Sequence, residues 1–177
     1  MVGFGVEFFV LFSSWWLMDL TGKSDGEVCT WILNHEKRGE TNSELYKSLL
    51  EERARRSSSG LKIENSLQHL IKSARQGIFT TYGHLAKASD VPWGRARHAM
   101  NGEHGHLDRL LDVCHVRGLP LLTALCVNQQ GAETGRLSED ALRGFVNGAK
   151  RLGHSITSSD SVLQKCQQAC FAWWKIQ

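Results

Sequence analysis

Apolar residues recur every three or four positions along most of this chain, the spacing that places them on one face of an α-helix. The clearest stretch runs from Ile63 to Ala74 through Leu67 and Leu70, and Gly77 follows it as a stop. The same spacing, often with a capping residue before it and a glycine after it, predicts further helices over residues 24–39, 41–56, 82–88, 90–101, 107–118, 138–146 and 158–173.

Two of the predicted helices begin with a capping box, in which Ser or Thr precedes Glu by three positions. These boxes are Ser24–Glu27 and Thr41–Glu44, and a short connection joins the two helices. We therefore expect a helical hairpin with Trp31, Leu45 and Leu49 at its contact.

The second helix ends in a basic run interleaved with glutamates, a pattern typical of a solvated helix end. The arginines of this run are Arg53, Arg55 and Arg56. The Ser-Ser-Ser-Gly stretch at 57–60 follows and predicts a linker. It divides the chain into a helical hairpin, 19–57, and a larger domain with C-terminal helices, 61–177.

Strand patterns are few. Residues 119–128, LPLLTALCVN, predict one strand, and residues 128–131, NQQG, resemble the turn of a wing or hairpin with a weak returning strand. The expected fold is therefore mainly α with a small β element. Its core is a helix-turn-helix or winged-helix-like module with flanking helices.

The first 18 residues form an apolar N-terminal extension. Its apolar run, Phe8–Met18, is too short to span a bilayer and contains two serines, so we expect no stable membrane insertion. A secretory signal would carry positive charge before the run and small residues at a cleavage site, and neither is present. Three interpretations stay open: a translated upstream extension that precedes a natural start at Met18, a segment that binds a membrane surface or a partner, or an element packed on the core.

Composition limits the classes of function. The formal net charge of +3 is compatible with nucleic-acid binding but does not establish it. The five cysteines form no CxxC pair, which argues against a zinc ribbon and favours reduced thiols in a cytoplasmic protein. Phosphate-binding and nucleophile-elbow motifs are also missing from the sequence, so no cofactor is predicted.

The stretch 80–101 carries the best functional pattern. Two short helices joined by a turn are predicted there, and residues 72–98 contain five Lys or Arg residues against the single carboxylate of Asp90. A recognition helix presents its first residues to base edges while neighbouring residues hold phosphates. DNA is therefore the predicted partner, although a purely structural helix pair with solvated arginines would show the same pattern. The predicted DNA contacts are Tyr82, Lys87, Arg95, Arg97 and His98.

The decapeptide GIFTTYGHLA and the RARHAM helix that follows it resemble the DNA-binding half of the alkylguanine-DNA alkyltransferases and alkyltransferase-like proteins. The resemblance covers about residues 77–135 and implies a winged helix bound in the minor groove. In that family a tyrosine, matched by Tyr82, presses on a phosphate, and an arginine, for which Arg95 is the closest candidate, fills the stack behind a flipped base. The same region also resembles uncharacterised bacterial proteins, which imply no activity.

Two alternatives to DNA binding remain. The first is an enzyme. The transferases carry their reactive cysteine in P-C-H-R-V, whereas this chain has Cys114 and His115 in V-C-H-V-R, without the proline and with the last two residues reversed. His104 and His106 could ligate a metal, although exposed loop histidines would show the same spacing. The second alternative is a regulatory or interaction protein whose Trp-rich helices form a homodimer.

Overall fold

The computed structural model describes residues 19–56, 60–102, 104–156 and 159–176. The extension 1–18 lies outside the described residues. The helices are α1 (Asp25–Arg38), α2 (Glu44–Arg55), α3 (Ile63–Gln76), α4 (Tyr82–Ala88), α5 (Trp93–Met100), α6 (His106–Val116), α7 (Glu139–Arg151) and α8 (Ser159–Trp173). The strands are β1 (Thr80–Thr81) and β2 (Cys126–Val127), and short 3-10 helices span Leu122–Leu125, Gln129–Gly131 and Trp174–Ile176. The predicted fold class, mainly α with a small β element, is confirmed.

Helix α1 begins and ends as the sequence predicts. The Ser24 hydroxyl accepts a hydrogen bond from the Glu27 amide (3.2 Å), and the Glu27 carboxylate accepts one from the Ser24 amide (2.8 Å). Gly39 ends the helix with φ 71°, a left-handed conformation that glycine adopts without steric cost.

The start of α2 differs from its prediction. Its N-cap is Ser43, whose hydroxyl accepts from the Tyr46 amide (3.2 Å). Thr41 is instead buried two residues earlier, and its carbonyl oxygen lies 2.7 Å from His115 Nε2. Because that contact fixes Thr41 against α6, the helix starts later than the capping-box pattern indicates.

The basic end of α2 is only partly solvated. Arg55 is exposed and pairs with Glu52, as expected, but Arg53 retains only 3% of its accessible surface. Its guanidinium contacts Asp112 of α6 through Nε, at 3.1 Å from Oδ2, and through Nη2. The prediction of a solvated run was therefore wrong for Arg53, because α2 packs on α6 and a buried charge requires a buried partner.

One cluster of buried side chains continues across the Ser-rich stretch at 57–60. It includes Leu49 and Leu50 of α2 together with Leu67 and Leu70 of α3 and Leu110 of α6. The hairpin thus shares its core with the rest of the described chain.

The two described strands run parallel, with Thr80 opposite Cys126 and Thr81 opposite Val127. Only the end of the predicted strand 119–128 is extended, because Leu122–Leu125 form a 3-10 turn first. After Asn128, which accepts a hydrogen bond from the Gly131 amide (2.9 Å), the described chain turns without a returning strand. The strands are therefore neighbours in a parallel pair and not the arms of the predicted hairpin.

Helices α4 and α5 form the predicted helix pair. Thr81 caps α4, and Leu85 of α4 and Met100 of α5 are buried. Asp90 does not cap α5: it lies in the turn with φ 57°, and Pro92 stands at the N-cap. Because proline fixes its own φ and lacks an N–H, it suits the start of a helix.

Among the residues that the structure describes, every helix is too short or too polar to cross a bilayer.

Candidate nucleic-acid interface and adjoining cleft

The basic side chains of α4 and α5 are exposed and carry unneutralised charge. Lys87, Arg95 and Arg97 form no ion pair with a carboxylate in the described part of the chain, and Arg97 Nε donates instead to His98 Nε2 (3.0 Å). Several exposed arginines elsewhere do pair with carboxylates: Arg38, Arg55, Arg117 and Arg143. The helix pair therefore presents a local positive potential that is available to an anionic partner.

Helix α3, which precedes the helix pair in the chain, carries two further cations, Lys72 and Arg75. Lys72 is exposed, and the Arg75 guanidinium lies 3.8 Å from the centre of the Trp174 ring. A guanidinium over an aromatic face keeps its charge while its stem packs. Asp90, the one carboxylate between residues 72 and 98, is exposed in the turn between α4 and α5.

Tyr82 occupies a different position from the exposed cations. It is the first residue of α4, half-buried, and it lines a cleft of about 670 Å³. Burial raises the pKa of its hydroxyl to about 12, so the group is a neutral hydrogen-bonding phenol at physiological pH. Tyr82 thus joins the helix pair to the cleft.

The cleft lies between the start of α4, the α5–α6 connection and α7. Asn101 and Gly102 border it where α5 ends, and Gly144 of α7 leaves its wall open, since an added Cβ there would meet no atom within 4 Å. Apolar side chains supply much of the rest of the lining, Leu107, Leu111, Leu137, Ala141 and Phe145, and polar ones such as Ser138, Asp140 and Asn147 interrupt it. Its volume falls in the range of pockets that enclose small organic groups.

Thr123 borders this cleft, but its hydroxyl oxygen is buried in the cleft wall. The residue is 5% exposed, and its hydroxyl has no hydrogen-bond partner among the described residues. A buried hydroxyl without a partner costs roughly 1–3 kcal/mol. The polar groups that a molecule in the cleft would meet come instead from other lining residues, among them Asn101 and Asn147.

One end of the cleft consists of an ionic network. Arg151 of α7 donates to Asp108 (2.7 Å) and Asp112 (2.7 Å) of α6 and to Glu36 of α1 (3.1 Å). Asp112 also binds Arg53. The network connects α1, α2, α6 and α7, and Asp108 and Arg151 line the cleft directly.

The cysteines are poorly placed for nucleophilic chemistry. Cys114 is fully buried, and burial raises the pKa of its thiol to about 12, so almost no thiolate exists at neutral pH. His115 Nε2 contacts the Thr41 carbonyl oxygen at 2.7 Å and is thereby occupied. Cys126, which lines the cleft, is also buried, and burial raises its thiol pKa as well.

The histidines proposed as metal ligands contact different parts of the fold. His106 is buried, with Nε2 2.8 Å from the Ser66 hydroxyl, and burial lowers its pKa to about 4. His104 Nδ1 lies 2.8 Å from Arg53 Nη1. Within the described ranges, no group of three or more His, Cys, Asp or Glu residues could hold a metal ion.

The aromatic C-terminal end is partly used by the fold. Trp173 and Trp174 are half-buried, and Phe171 contacts Phe79 edge-on with ring centres 5.6 Å apart. A homodimer through these residues stays a prediction.

No protein-family model, curated protein or solved structure matches this chain. The resemblance to the alkyltransferases therefore rests on the residues quoted for it and stays a prediction.

Sequence reasoning missed several residues of this region. Thr123 lies in a segment predicted as a strand, where a threonine is ordinary. Asp108 and Arg151 are far apart in sequence, and no local pattern pairs them. Trp93, the first residue of α5, is 46% exposed. Its exposure was recognisable in the sequence in principle, because a large aromatic residue directly after a helix-starting proline has little chain around it to bury it.

Proposed function

We propose that this protein is a non-catalytic DNA-binding protein that uses α4 and α5 as its contact surface. The observation that carries the proposal is the set of exposed cations on this helix pair, Lys87, Arg95 and Arg97, which lack described carboxylate partners. Phosphate contacts supply most of the affinity of non-specific DNA binding, and they require such available cations. Two short helices joined by a tight turn also suit insertion into a groove.

The proposal extends to altered or flipped bases. Tyr82 belongs both to the helix pair and to the cleft of about 670 Å³. A base that has rotated out of the duplex needs a mainly apolar pocket with a few polar groups, and the cleft, whose polar lining includes Asn101 and Asn147, has this character. The family resemblance independently implies base flipping beside the matched tyrosine.

The binding is proposed to be non-catalytic because Cys114 and Cys126 are buried thiols with raised pKa values. An alkyl-transfer step needs a thiolate that the substrate can reach. A cytoplasmic location belongs to the same proposal, since all five cysteines are unpaired.

The test is fluorescence anisotropy of a labelled duplex over a range of salt concentrations. Wild-type affinity should fall steeply with salt, and the double variant Arg95→Ala/Arg97→Ala should bind more weakly with a shallower salt dependence. Arg38→Ala/Arg55→Ala is the matched control, because it removes the same charge from exposed arginines of α1 and α2. Equal affinities of the two double variants would contradict the proposal.

A further inference from the structure

Among the tryptophans that the structure describes, Trp93 is the most exposed to solvent. It retains 46% of its accessible surface, whereas Trp31, Trp173 and Trp174 are all half-buried. Trp31 and Trp174 each have a cation over the ring, Lys23 at 5.1 Å and Arg75 at 3.8 Å. The indole of Trp93 has no comparable ring or cation contact within the described residues, so one face of a large π-system is left open.

The position of Trp93 in the chain explains its exposure. Val91 is buried before it and Pro92 forms the N-cap of α5, so the chain changes direction immediately before Trp93. The buried face of α5 consists of Ala96 and Met100. Trp93 precedes Ala96 by three positions and so lies on the same side of α5, but it stands in the first turn, at the end of the buried stripe, and stays 46% exposed.

The surroundings of Trp93 are open and basic. Arg97 stands four positions later, is exposed and shares its face of the helix, whereas Arg95, two positions later, projects from another side of α5. Next to the indole, Gly94 adds no side chain, and an added Cβ there would meet no atom within 4 Å. An open aromatic face beside the unneutralised cation of Arg97 matches the chemistry of a polyanion that also offers stackable rings.

We propose that Trp93 stacks on an unpaired base, so that α5 binds DNA containing unpaired nucleotides in preference to a perfect duplex. This inference rests on the proposed DNA-binding function and names the class of DNA that the surface prefers. In a perfect duplex the bases are stacked on one another and the indole has no free π-face to cover. In a bulge or a single strand it has one, while the arginines hold the flanking phosphates in both cases. Trp93 does not line the cleft, so its contribution is separable from that of the cleft residues.

The experiment compares three labelled DNAs of one sequence: the perfect duplex, the duplex with one extra unpaired nucleotide, and the single strand. Anisotropy titrations at fixed salt use wild type, Trp93→Ala, Trp93→Phe and a control, Leu33→Ala. The control truncates an exposed apolar residue that lies on α1, outside the helix pair. Urea unfolding of each variant shows whether the fold is retained.

Trp93→Ala should weaken binding to the bulged duplex and the single strand by about fivefold or more, the loss expected for one base–aromatic stack. Its affinity for the perfect duplex should stay within about twofold of wild type, because phosphate contacts are unchanged. Trp93→Phe should retain most of the preference, and Leu33→Ala all of it. An equal loss on all three DNAs, or no loss on any, would overturn the stacking role of Trp93.

The two proposals fail in different ways. If wild type binds none of the three DNAs, the DNA-binding function itself is wrong and the role of Trp93 is wrong with it. If wild type binds all three and Trp93→Ala matches it on each, DNA binding stands and only the stacking role is lost.

Discussion

Arg53 of α2 and Asp112 of α6 form an ion pair that is almost wholly removed from solvent, with 3% and 0% of the two side chains exposed. The pair joins the N-terminal hairpin to the helix that borders the cleft. Arg151 binds the other oxygen of the same carboxylate, so the charges of three helices meet at Asp112.

Removing Arg53 should therefore be strongly destabilising. Arg53→Ala leaves Asp112 buried with one partner fewer, and breaking a buried pair in this way costs about 3–5 kcal/mol. Urea unfolding measures this loss. Arg55→Ala, two positions away but exposed and paired with Glu52, should change the free energy of unfolding by less than about 1 kcal/mol. Similar losses for the two variants would show that the burial of Arg53 contributes nothing to stability.

Stability should fall in mild acid because of His106. Burial holds its folded pKa at about 4, whereas an unfolded histidine titrates near 6.5. The unfolded chain therefore takes up a proton first, and stability that is complete above about pH 6.5 is lost progressively as the pH falls toward 4. The full difference amounts to about 3 kcal/mol.

Urea unfolding between pH 7.5 and 4.5 measures this dependence for wild type and for His106→Gln. The variant should show a shallower decline, because glutamine can still contact the Ser66 hydroxyl but does not titrate. His69 and His154 also have pKa values lowered by burial, and the Arg55 guanidinium lowers the pKa of Glu52 to about 2, so these groups contribute to the slope that remains. Identical slopes for the two proteins would rule out His106 as the titrating group.

The thiols of Cys114 and Cys126 should react slowly in the folded protein. Both are buried and have raised pKa values, so a neutral-pH thiol reagent should label the half-buried Cys29 and Cys166 first. All five cysteines should react once the protein is unfolded in urea. A fast phase in the native protein that disappears in Cys114→Ser would revive the interpretation of Cys114 as a nucleophile.

Asn147→Ala should separate base recognition from general DNA binding. Asn147 is exposed on α7 and lines the cleft, so its truncation removes a polar group that a base in the cleft would meet, while the free energy of unfolding should change by less than about 0.5 kcal/mol. Any preference for a duplex with a mismatched or alkylated base over a normal one should shrink, while affinity for the normal duplex persists.

Anisotropy on matched pairs of duplexes measures this preference. Arg95→Ala/Arg97→Ala serves as the comparison, because it should weaken binding to both members of a pair alike. A preference that survives in Asn147→Ala would place the recognition of altered bases away from this side chain.

The helices of this protein were largely predictable because each carries its own periodicity and punctuation. Ser24, Gly39 and Gly77 act within a few residues of their own positions, and their roles were confirmed. Thr41 failed as a cap because a contact from α6, distant in sequence, fixes it elsewhere. Local patterns hold where local forces dominate, and tertiary contacts override them.

The candidate nucleic-acid interface and its cleft likewise combine features that the sequence shows with features that depend on tertiary contacts. The cations of α4 and α5 are visible in the sequence as a local charge excess, and the structure places them on the surface. The cleft is not visible, because its walls come from segments that meet only in the folded chain, and the unpartnered state of Thr123 depends on what lies around it. The burial of Arg53 likewise depends on α6, which begins some fifty residues later.

The parallel pairing of Thr80 with Cys126 has a consequence for how the molecule assembles. Three helices, α4, α5 and α6, intervene between the two strands, so the pairing closes a long loop of chain, and contacts of such high sequence separation form slowly. The helix pair can take shape early from local contacts, whereas the cleft waits for this closure and for α7. A fragment that ends before β2 is therefore expected to keep the basic helices yet lack the pocket beside them.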